Sequence, residues 1–555
     1  MYSLGIFGPG PNSSACLVDH NFNIVGWIEE ERLNRIKTSP NTFPVRSIAR
    51  LVKDFLPKGE VIGLCGYAWD CNVYSQDAEQ HVSKIEQAYP STSTRKNLLS
   101  QRFLNTLYDK ESIEFQYDLL FKKLNIVKPK LIFYPHHLCH AASCIPFINS
   151  ESNVCVVNDG AGEIAATSVF QFINGVLNRE PIFIQNIPDS LGSIYASVTE
   201  YLGFRPYEDE GKVMGLAAYG HFDKDIDNKV SKIFDINSDQ PIAFKTDPTF
   251  RYQGARSYGK RFSDKFVELL GLPRNSFEDI MQSKFINIAF AFQDKLEKIL
   301  LYQARGIRDL TNYKNVSFSG GVHMNCKANG MLRDSDIFSN SFFHPASSDI
   351  GVSLGAAVLA AEDLGHKFNN CKKMTLSLYK GTSYSEKSLE KSIFKSKFNF
   401  HTTSSSVDLG AFLLSKNLIL GWFQGAMEVG ARALGGRSIL ANPLFESSRD
   451  LVNSTVKNRE KWRPFCPSIC KESFDDYFIG KGDYSYMIVA SEALPKTKSI
   501  IPACVHIDNT VRVQAVTSEQ NEKYYNLIKS FSTYSGHPIV LNTSFNIAGE
   551  PIVEN

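Results

Sequence analysis

Two glycine-rich hairpins in the first third of the chain constrain its fold more than any other feature. In the first hairpin, the apolar run Leu4–Phe7 leads into a loop over residues 8–14, and Ala15–Val18 returns. In the second hairpin, Val154–Val157 leads into the loop Asn158–Gly162, and the chain returns through residues 165–172 to an Asn-Gly turn. Short apolar runs bounded by turn residues predict β-strands, and Asn-Gly is a strong hairpin signal.

The repetition of this hairpin indicates a duplicated α/β fold, although any α/β protein can repeat strand–glycine–strand units. Such loops present backbone N–H groups to phosphate oxygens, and the pattern is typical of actin-like and sugar-kinase-like ATPases. A third glycine turn, Ser319-Gly320-Gly321, follows an apolar strand, and Asp349 is predicted to begin a helix rich in small residues. The polar stretch 363–373 reads as a linker, and Leu418–Trp422 reads as a strand near the start of a second domain.

Length and charge exclude several classes of protein. A chain of 555 residues is too long for one core and predicts two to four folding units at roughly 150 residues each. Its formal charge of only +2 argues against a broad nucleic-acid-binding face. The chain start is not a secretory signal, and no run of about 18 apolar residues predicts a membrane span, so we expect a cytoplasmic protein without a membrane partner.

Cysteine usage agrees with a reducing compartment. The 11 cysteines contain no Cys-x-x-Cys pair, which favours free thiols over disulfides or a cysteine-ligated zinc. The closest pair, Cys466 and Cys470, is interpreted as buried and inert.

A histidine pair is the first candidate for chemistry. His136 and His140 are four residues apart, so on a helix they share one face, whereas His137 points elsewhere. Such a pair is structural in many proteins, and a carboxylate such as Asp159 or Asp349 is by itself an ordinary loop or cap residue. Together the four side chains suit iron, manganese or zinc.

Basic residues among glycines form the second candidate. Arg432 lies in a glycine-containing loop, and Lys457 and Arg463 follow. Guanidinium groups bind two phosphate oxygens at once, although a solvated basic face is the ordinary alternative. Arg512, with Asn542 and Ser544 after an apolar strand, forms a third set that can bind a phosphate or an amide.

In this order and spacing, these motifs resemble the carbamoyltransferases of the tobramycin, novobiocin, cephamycin and nodulation-factor type. The similarity also includes Glu29-Glu30-Glu31-Arg32 and Lys212–Ala217, and it runs over nearly the whole chain. The resemblance implies an ATPase-like domain over residues 1–365, similar to the threonylcarbamoyl transferases, and a YrdC-like α+β domain over residues 375–555. It implies an O-carbamoyltransferase that uses ATP and Mg²⁺ to convert carbamoyl phosphate to carbamoyl-adenylate. The carbamoyl group then passes to a hydroxyl of a small molecule, as in antibiotic or sugar biosynthesis.

The resemblance also implies roles for individual residues. His136, His140, Asp159 and Asp349 correspond to ligands of Fe(II) or another divalent transition metal. The turn with Ser319, Gly320, Gly321 and Asn325 corresponds to a nucleotide site. The catalytic residues are Arg432, Lys457, Arg463 and Arg512. The binding set for carbamoyl phosphate and the adenylate is these four residues together with Asn542 and Ser544. An RNA-modifying enzyme of the threonylcarbamoyl type and an inactive binding protein of the same fold are the alternative functions.

Three departures from the family pattern affect this interpretation. Many relatives carry His-Asp where this chain has Pro11-Asn12, which cannot ionise. Ala431 and Gly436 replace the usual Pro and Asn, which predicts a looser arginine loop. The sequence given also ends at Asn555, where relatives usually continue.

Overall fold

The computed structural model describes residues 1–72, 110–148, 150–236, 241–251, 260–275, 277–368 and 377–555. The chain divides into two compact units. The first contains residues 1–25 and 40–374, and the second contains residues 26–39 and 375–555. The predicted linker residues 369–373 lie outside the described part of the chain, whereas Asp363 is the last residue of a helix.

The first sheet of the chain has the strand order β3-β2-β1-β4-β5. Its strands are β1 (Tyr2–Phe7), β2 (Ser14–Val18), β3 (Ile24–Glu29), β4 (Ile62–Tyr67) and β5 (Lys130–Phe133). Strand β1 is antiparallel to β2 and parallel to β4, and β4 is parallel to β5.

A second sheet of the first unit has the order β13-β12-β6-β7-β8, with β9 also paired to β7. Its strands are β6 (Ser152–Asn158), β7 (Ala165–Ile173), β8 (Val176–Leu177), β9 (Phe183–Asn186), β12 (Asn315–Ser319) and β13 (Asn340–Phe343). Strand β6 is antiparallel to β7 and parallel to β12, which is parallel to β13. In each sheet the central strand (β1 or β6) pairs with an antiparallel strand on one side and a parallel strand on the other. This repeated arrangement is the duplication that the two glycine-rich hairpins predicted. The predicted Asn174-Gly175 turn has φ of 51° and 84°, as its hairpin type requires.

Helices and one small hairpin complete the fold up to residue 363. The helices are α1 (Glu30–Asn34, assigned to the second unit), α2 (Val45–Asp54), α3 (His136–Ala142), α4 (Leu191–Tyr201), α5 (Glu210–Ala217), α6 (Lys224–Ser231), α7 (Asp264–Leu270), α8 (Ser283–Thr311), α9 (Cys326–Asp334) and α10 (Val352–Asp363). A further helix covers residues 110–124, and the hairpin pairs β10 (Phe234–Asp235) with β11 (Lys245–Thr246).

Helix α10 is the central helix of the first unit. All residues from Val352 to Ala361 are buried. A Cβ on Gly355 would lie 1.7 Å from the Cys139 carbonyl oxygen, and a Cβ on Gly5 would lie 1.9 Å from the Ser353 carbonyl oxygen. Glycine is therefore required at both positions, because helix α10 touches the backbone of α3 on one side and of β1 on the other.

The second unit is built on a mixed five-stranded sheet of order β14-β15-β21-β16-β20. Its strands are β14 (Leu420–Phe423), β15 (Arg437–Ala441), β16 (Cys466–Cys470), β20 (Gln514–Val516) and β21 (Ile539–Ser544), and a small sheet joins β17 (Phe478–Ile479), β18 (Ser491–Ala493) and β19 (Thr510–Val511). The helices are α11 (Glu386–Lys395), α12 (Ser406–Ser415), α13 (Glu446–Val452), α14 (Thr497–Ile500) and α15 (Ser518–Ser535). The core of this unit includes Trp422, Leu440, Leu527, Phe531 and Val540.

Two chain-wide expectations can be compared with the described residues. None of the helices in the described ranges is long and apolar enough to span a membrane. The ten cysteines among the described residues are all buried and unbridged. Burial raises the pKa of the Cys470 thiol to about 12, as expected for an inert group.

Candidate functional site

Two imidazoles of helix α3 face the same point in the first unit. His136 and His140 have no exposed surface, and their ring centroids are 4.8 Å apart. His136 Nδ1 lies 3.0 Å from the Ala68 carbonyl oxygen, and His140 Nδ1 lies 3.1 Å from Ser319 Oγ. The two Nε2 atoms are buried without a hydrogen-bond partner among the described residues. Because the carbonyl oxygen accepts from Nδ1–H of His136, the neutral imidazole has its lone pair on Nε2. This is the tautomer that binds a metal through Nε2.

Two carboxylates complete this cluster. Asp159 directly follows β6, and its Oδ2 lies 3.5 Å from His136 Nε2 and 3.8 Å from His140 Nε2. Asp349 Oδ1 lies 3.6 and 3.9 Å from the same two nitrogens. Asp349 does not begin a helix as predicted; it lies in a turn three residues before α10, whose N-cap is Gly351.

The spacing of the four side chains fits a single ion. One ligand atom from each residue lies within 4.8 Å of the others. Tetrahedral ligands at about 2.1 Å from a metal would lie about 3.4 Å from one another, and the four nitrogen–oxygen distances of 3.5, 3.6, 3.8 and 3.9 Å are close to this value. Two nitrogen and two carboxylate donors suit iron, manganese or zinc.

The charges of the cluster also favour a cation. Burial opposes ionisation of His136, but Asp159 and Asp349 outweigh it and raise the pKa of His136 to about 10. Burial, reinforced by His136, lowers the pKa of His140 to about 3. Burial alone would raise the pKa of Asp159, but the imidazoles hold it well below its usual range. Two buried carboxylates thus need positive charge nearby, which a proton on His136 or a divalent ion supplies.

Three neighbouring groups orient the ligands, and sequence reasoning did not assign them this role. The Glu163 carboxylate accepts hydrogen bonds from the backbone N–H of His136 (2.9 Å) and of Asp70 (2.7 Å). Gly321 N–H donates to Asp159 Oδ1 (3.0 Å), and Ser319 Oγ contacts His140. Glu163 follows Asp159 within the same glycine-rich loop, which is the signal by which it could have been found.

The predicted nucleotide turn adjoins this cluster. Gly320 has φ of 97°, and a Cβ there would lie 2.2 Å from the Asn158 carbonyl oxygen. The Asn325 side chain caps α9 by accepting from Ala328 N–H and exchanges hydrogen bonds with Gln293. The side chains of Ser319 and Asn325 therefore contact protein groups, and Gly320 and Gly321 form the turn itself.

A cluster of cationic side chains occupies one region of the second unit. Lys457 ends a π-helical turn (Asn453–Lys457) that continues α13, a distortion that is frequent at functional sites. Its Nζ lies 3.1 Å from Ser544 Oγ and 2.7 Å from Asn546 Oδ1. Burial, and then the charges of Arg459 and Arg463, lower the pKa of Lys457 to about 7.

Arg459 belongs to the same cluster, although the sequence analysis did not include it. Burial, and then Arg463 and Arg512, lower the pKa of Arg459 to about 9. Its guanidinium lies 4.1 Å from the centre of the Phe465 ring, and its Nε donates to Asn453 Oδ1 (2.6 Å). Arg463 pairs with Glu460 (3.6 Å), but the remaining positive charge, which helps to lower the pKa values of Lys457 and Arg459, favours a further anion, so the cluster suits a phosphate-rich ligand.

The remaining predicted residues lie on the neighbouring strand and loop. Asn542 is buried, and its Nδ2 donates to Ala433 O (3.1 Å), Ser468 Oγ (3.0 Å) and Gln514 Oε1 (3.1 Å). Arg432 is partly buried and directly precedes Ala433. Asn542 therefore connects strand β21 to the arginine loop, and Lys457 connects to the end of the same strand through Ser544.

Comparisons with known proteins place the chain among the transferases. The family described as carbamoyltransferase N-terminus matches residues 5–358, and the family described as carbamoyltransferase C-terminus matches residues 411–555. The chain therefore belongs to the carbamoyltransferase family, which confirms the resemblance seen in its motifs.

The relatives that match include both uncharacterised and nodulation proteins. An uncharacterised protein, sll1178 of Synechocystis sp., is 30% identical over 99% of this chain and 92% of its own length. The nodulation protein NolNO of Sinorhizobium fredii is 29% identical over 98% of this chain and 75% of its own length. The uncharacterised protein MJ1058 of Methanocaldococcus jannaschii is 31% identical over 82% of this chain and 74% of its own length.

Proposed function

We propose that this protein is an ATP-dependent O-carbamoyltransferase that uses carbamoyl phosphate as donor and a hydroxyl of a small molecule as acceptor. The observation that carries the proposal is the presence of two chemically different sites on a chain of this family. The first unit has a buried set of two histidines and two aspartates, and the second unit has a cluster of basic residues. In this assignment the first unit is the actin-like ATPase domain and the second is the YrdC-like domain.

The basic cluster of the second unit is the proposed site of carbamoyl-adenylate formation. Water cleaves carbamoyl phosphate into carbamate and inorganic phosphate. A carbamate oxygen then bonds to the α-phosphorus of ATP while pyrophosphate leaves. Lys457, Arg463 and Arg512 neutralise the phosphate oxygens, and Mg²⁺ is expected to accompany the nucleotide. Arg432 and Ser544 orient the donor. The Oδ1 of buried Asn542, which has no hydrogen-bond partner among the described residues, can accept from the carbamoyl amide.

The acceptor then reacts at the histidine–aspartate cluster of the first unit. The acceptor oxygen bonds to the carbamoyl carbon and its hydroxyl proton is released to solvent, while AMP leaves with the electrons of the broken carbon–oxygen bond. A divalent ion held by His136, His140, Asp159 and Asp349 would polarise the carbamoyl oxygen or lower the pKa of the acceptor hydroxyl. Ser319 and Glu163 keep the two imidazoles in place through the contacts described above.

The direct test is a product assay on protein purified without oxygen. With ATP and carbamoyl phosphate together we expect AMP and pyrophosphate, and with either one alone we expect neither. A panel of aminoglycoside, nucleoside, oligosaccharide and polyketide acceptors would then identify the carbamoylated product. Absence of AMP would leave a binding protein of this fold, and tight, salt-sensitive tRNA binding would favour the RNA-modifying alternative.

The pKa of Lys457 predicts a proton uptake when the donor binds. With a pKa of about 7, lowered by burial and then by Arg459 and Arg463, Lys457 is mostly neutral at pH 8 in the free protein. A bound phosphate dianion favours the ammonium form, so binding takes up a proton and weakens as pH rises above 7. Titration calorimetry in buffers of different ionisation enthalpy measures this uptake. The Lys457→Met variant should show none from this group, and equal proton uptake in both proteins would contradict the prediction.

A further inference from the structure

Residues 26–39, from the start of the chain, belong to the second unit. Trp27 N–H donates to the Lys380 carbonyl oxygen (2.9 Å). The Arg35 guanidinium donates to the carbonyl oxygens of Ile552 (2.6 Å) and Pro551 (2.8 Å). The segment therefore bonds to both the beginning and the end of the polypeptide that forms this unit.

An ion pair in this segment holds both backbone polar groups of Gly430. The N–H of Gly430 donates to Glu29 Oε1 (2.8 Å), and Arg32 Nη2 donates to the Gly430 carbonyl oxygen (2.8 Å). Arg32 Nη2 also lies 2.9 Å from Glu29 Oε1, and Arg32 Nη1 lies 2.7 Å from Glu31 Oε1. The side chains of Glu29 and Arg32 are only 3% and 5% exposed, so water does not compete for these bonds.

A second buried carboxylate holds the other end of the same loop. Glu428 is 1% exposed, and its Oε1 accepts from the N–H groups of Leu434 (2.7 Å), Gly436 (3.2 Å) and Arg437 (3.1 Å). A Cβ on Gly436 would lie 2.4 Å from Glu428 Oε2, so this glycine permits the close approach. Backbone groups at both ends of the loop are therefore hydrogen-bonded to buried charged side chains, although Ala431 and Gly436 replace the usual Pro and Asn.

The hydrogen bonds at the two ends of the loop come from one cluster of charged side chains. Glu29, Arg32 and Glu428 line a single narrow cavity together with Glu554. Although burial lowers the pKa of Arg32, the carboxylates Glu29, Glu31 and Glu428 outweigh it and raise that pKa. The two ends of loop 430–437 are therefore connected electrostatically through the Arg32 guanidinium, and Arg432 lies between them.

We propose that Glu29 and Arg32 are positioning residues for the anion site of the second unit. Their ion pair fixes Gly430 and thereby sets the direction in which the loop presents Arg432. The inference rests on the proposed function, since Arg432 is taken there as a ligand of carbamoyl phosphate. It extends that function by making a segment of the chain start, about 400 residues away in sequence, part of the support of the donor site.

The test compares full-length Glu29→Gln and Arg432→Ala, alone and combined, with Arg35→Gln as the control from the same segment. We expect Glu29→Gln to raise the KM for carbamoyl phosphate about tenfold, because a charged hydrogen bond to the loop is lost. In the Arg432→Ala background the same change should add less than about twofold, because coupled residues are not additive. Arg35→Gln should leave kcat and the KM for carbamoyl phosphate within about twofold of the wild-type values. The hydrogen bonds of Arg35 reach only the carbonyl oxygens of Pro551 and Ile552. Additive losses in the combined variant, or an unchanged KM in Glu29→Gln, would overturn the positioning role.

Amide hydrogen exchange separates this proposal from the proposed function. Residues 430–437 should exchange faster in Glu29→Gln than in the wild type, whether or not AMP is formed. Unchanged exchange in that loop rejects the role of Glu29 independently of any activity. Absence of AMP formation by the wild type rejects the proposed function instead, and binding of carbamoyl phosphate alone then decides the positioning role by the same comparison of variants.

Discussion

The His140→Ala variant is expected to lose its bound metal and its carbamoyl transfer while it continues to release AMP. One of four converging ligands disappears, and the Nε2 of His136 remains with two carboxylates that a proton can satisfy. Loss of an outer hydrogen-bond partner of a ligand weakens metal binding roughly 10–100-fold, so loss of the ligand itself should weaken it by at least about 100-fold. Elemental analysis of protein purified without oxygen, together with separate assays of AMP and carbamoylated product, measures the effect.

His137→Asn is the matched control for this variant. His137 lies on the same helix and is also buried, but its Nδ1 pairs with Ser168 Oγ (2.8 Å) and it is not among the four ligands. The control should retain metal and transfer. Full metal content in His140→Ala would show that the four side chains do not bind the ion together.

Arg463→Ala should lower AMP release by about 10³-fold while the metal content stays normal, because one charge that neutralises the transferring phosphoryl group is missing. Arg463 is partly buried and contributes to the lowered pKa values of Lys457 and Arg459, which places it within the basic cluster. Release of AMP and pyrophosphate with ATP and carbamoyl phosphate is the measurement.

Arg449→Ala is the control for nonspecific loss of positive charge. Arg449 lies on α13 of the same unit, where it pairs with Glu446 (2.7 Å) and Asp450 (3.2 Å) near the surface. An exposed ion pair of this kind contributes little to stability, so AMP release should be unchanged. Wild-type AMP release in Arg463→Ala would remove this residue from the proposed site.

The features that sequence predicted are those encoded by short-range patterns. The glycine-rich hairpins are local, so the strands around them were predicted to within a few residues, and their repetition indicated the repeated sheet order. The four-residue spacing of His136 and His140 fixes one helix face. Asp159 directly follows a buried strand, and the end of that strand lies beside His136.

The features that sequence missed depend on contacts between distant parts of the chain. Nothing in the sequence indicates that Glu29 contacts Gly430, because an acidic residue and a glycine are each common and the two lie about 400 residues apart. Arg459 reads as one more basic residue in a polar stretch, and only its packing on Phe465 and its proximity to Arg463 and Arg512 associate it with the cluster. The exact start of α10 was also missed, since a tight turn separates Asp349 from the first helical residue.

The assignment of residues 26–39 to the second unit affects how this enzyme can be dissected. A fragment that begins at residue 375 would lack the segment's hydrogen bonds to five groups: the Gly430 N–H and the carbonyl oxygens of Lys380, Gly430, Pro551 and Ile552. Swapping C-terminal halves between family members would likewise pair a loop with a foreign N-terminal segment. Chimaeras should therefore exchange residues 26–39 together with residues 375–555, because these two stretches form one folding unit although they are far apart in the sequence.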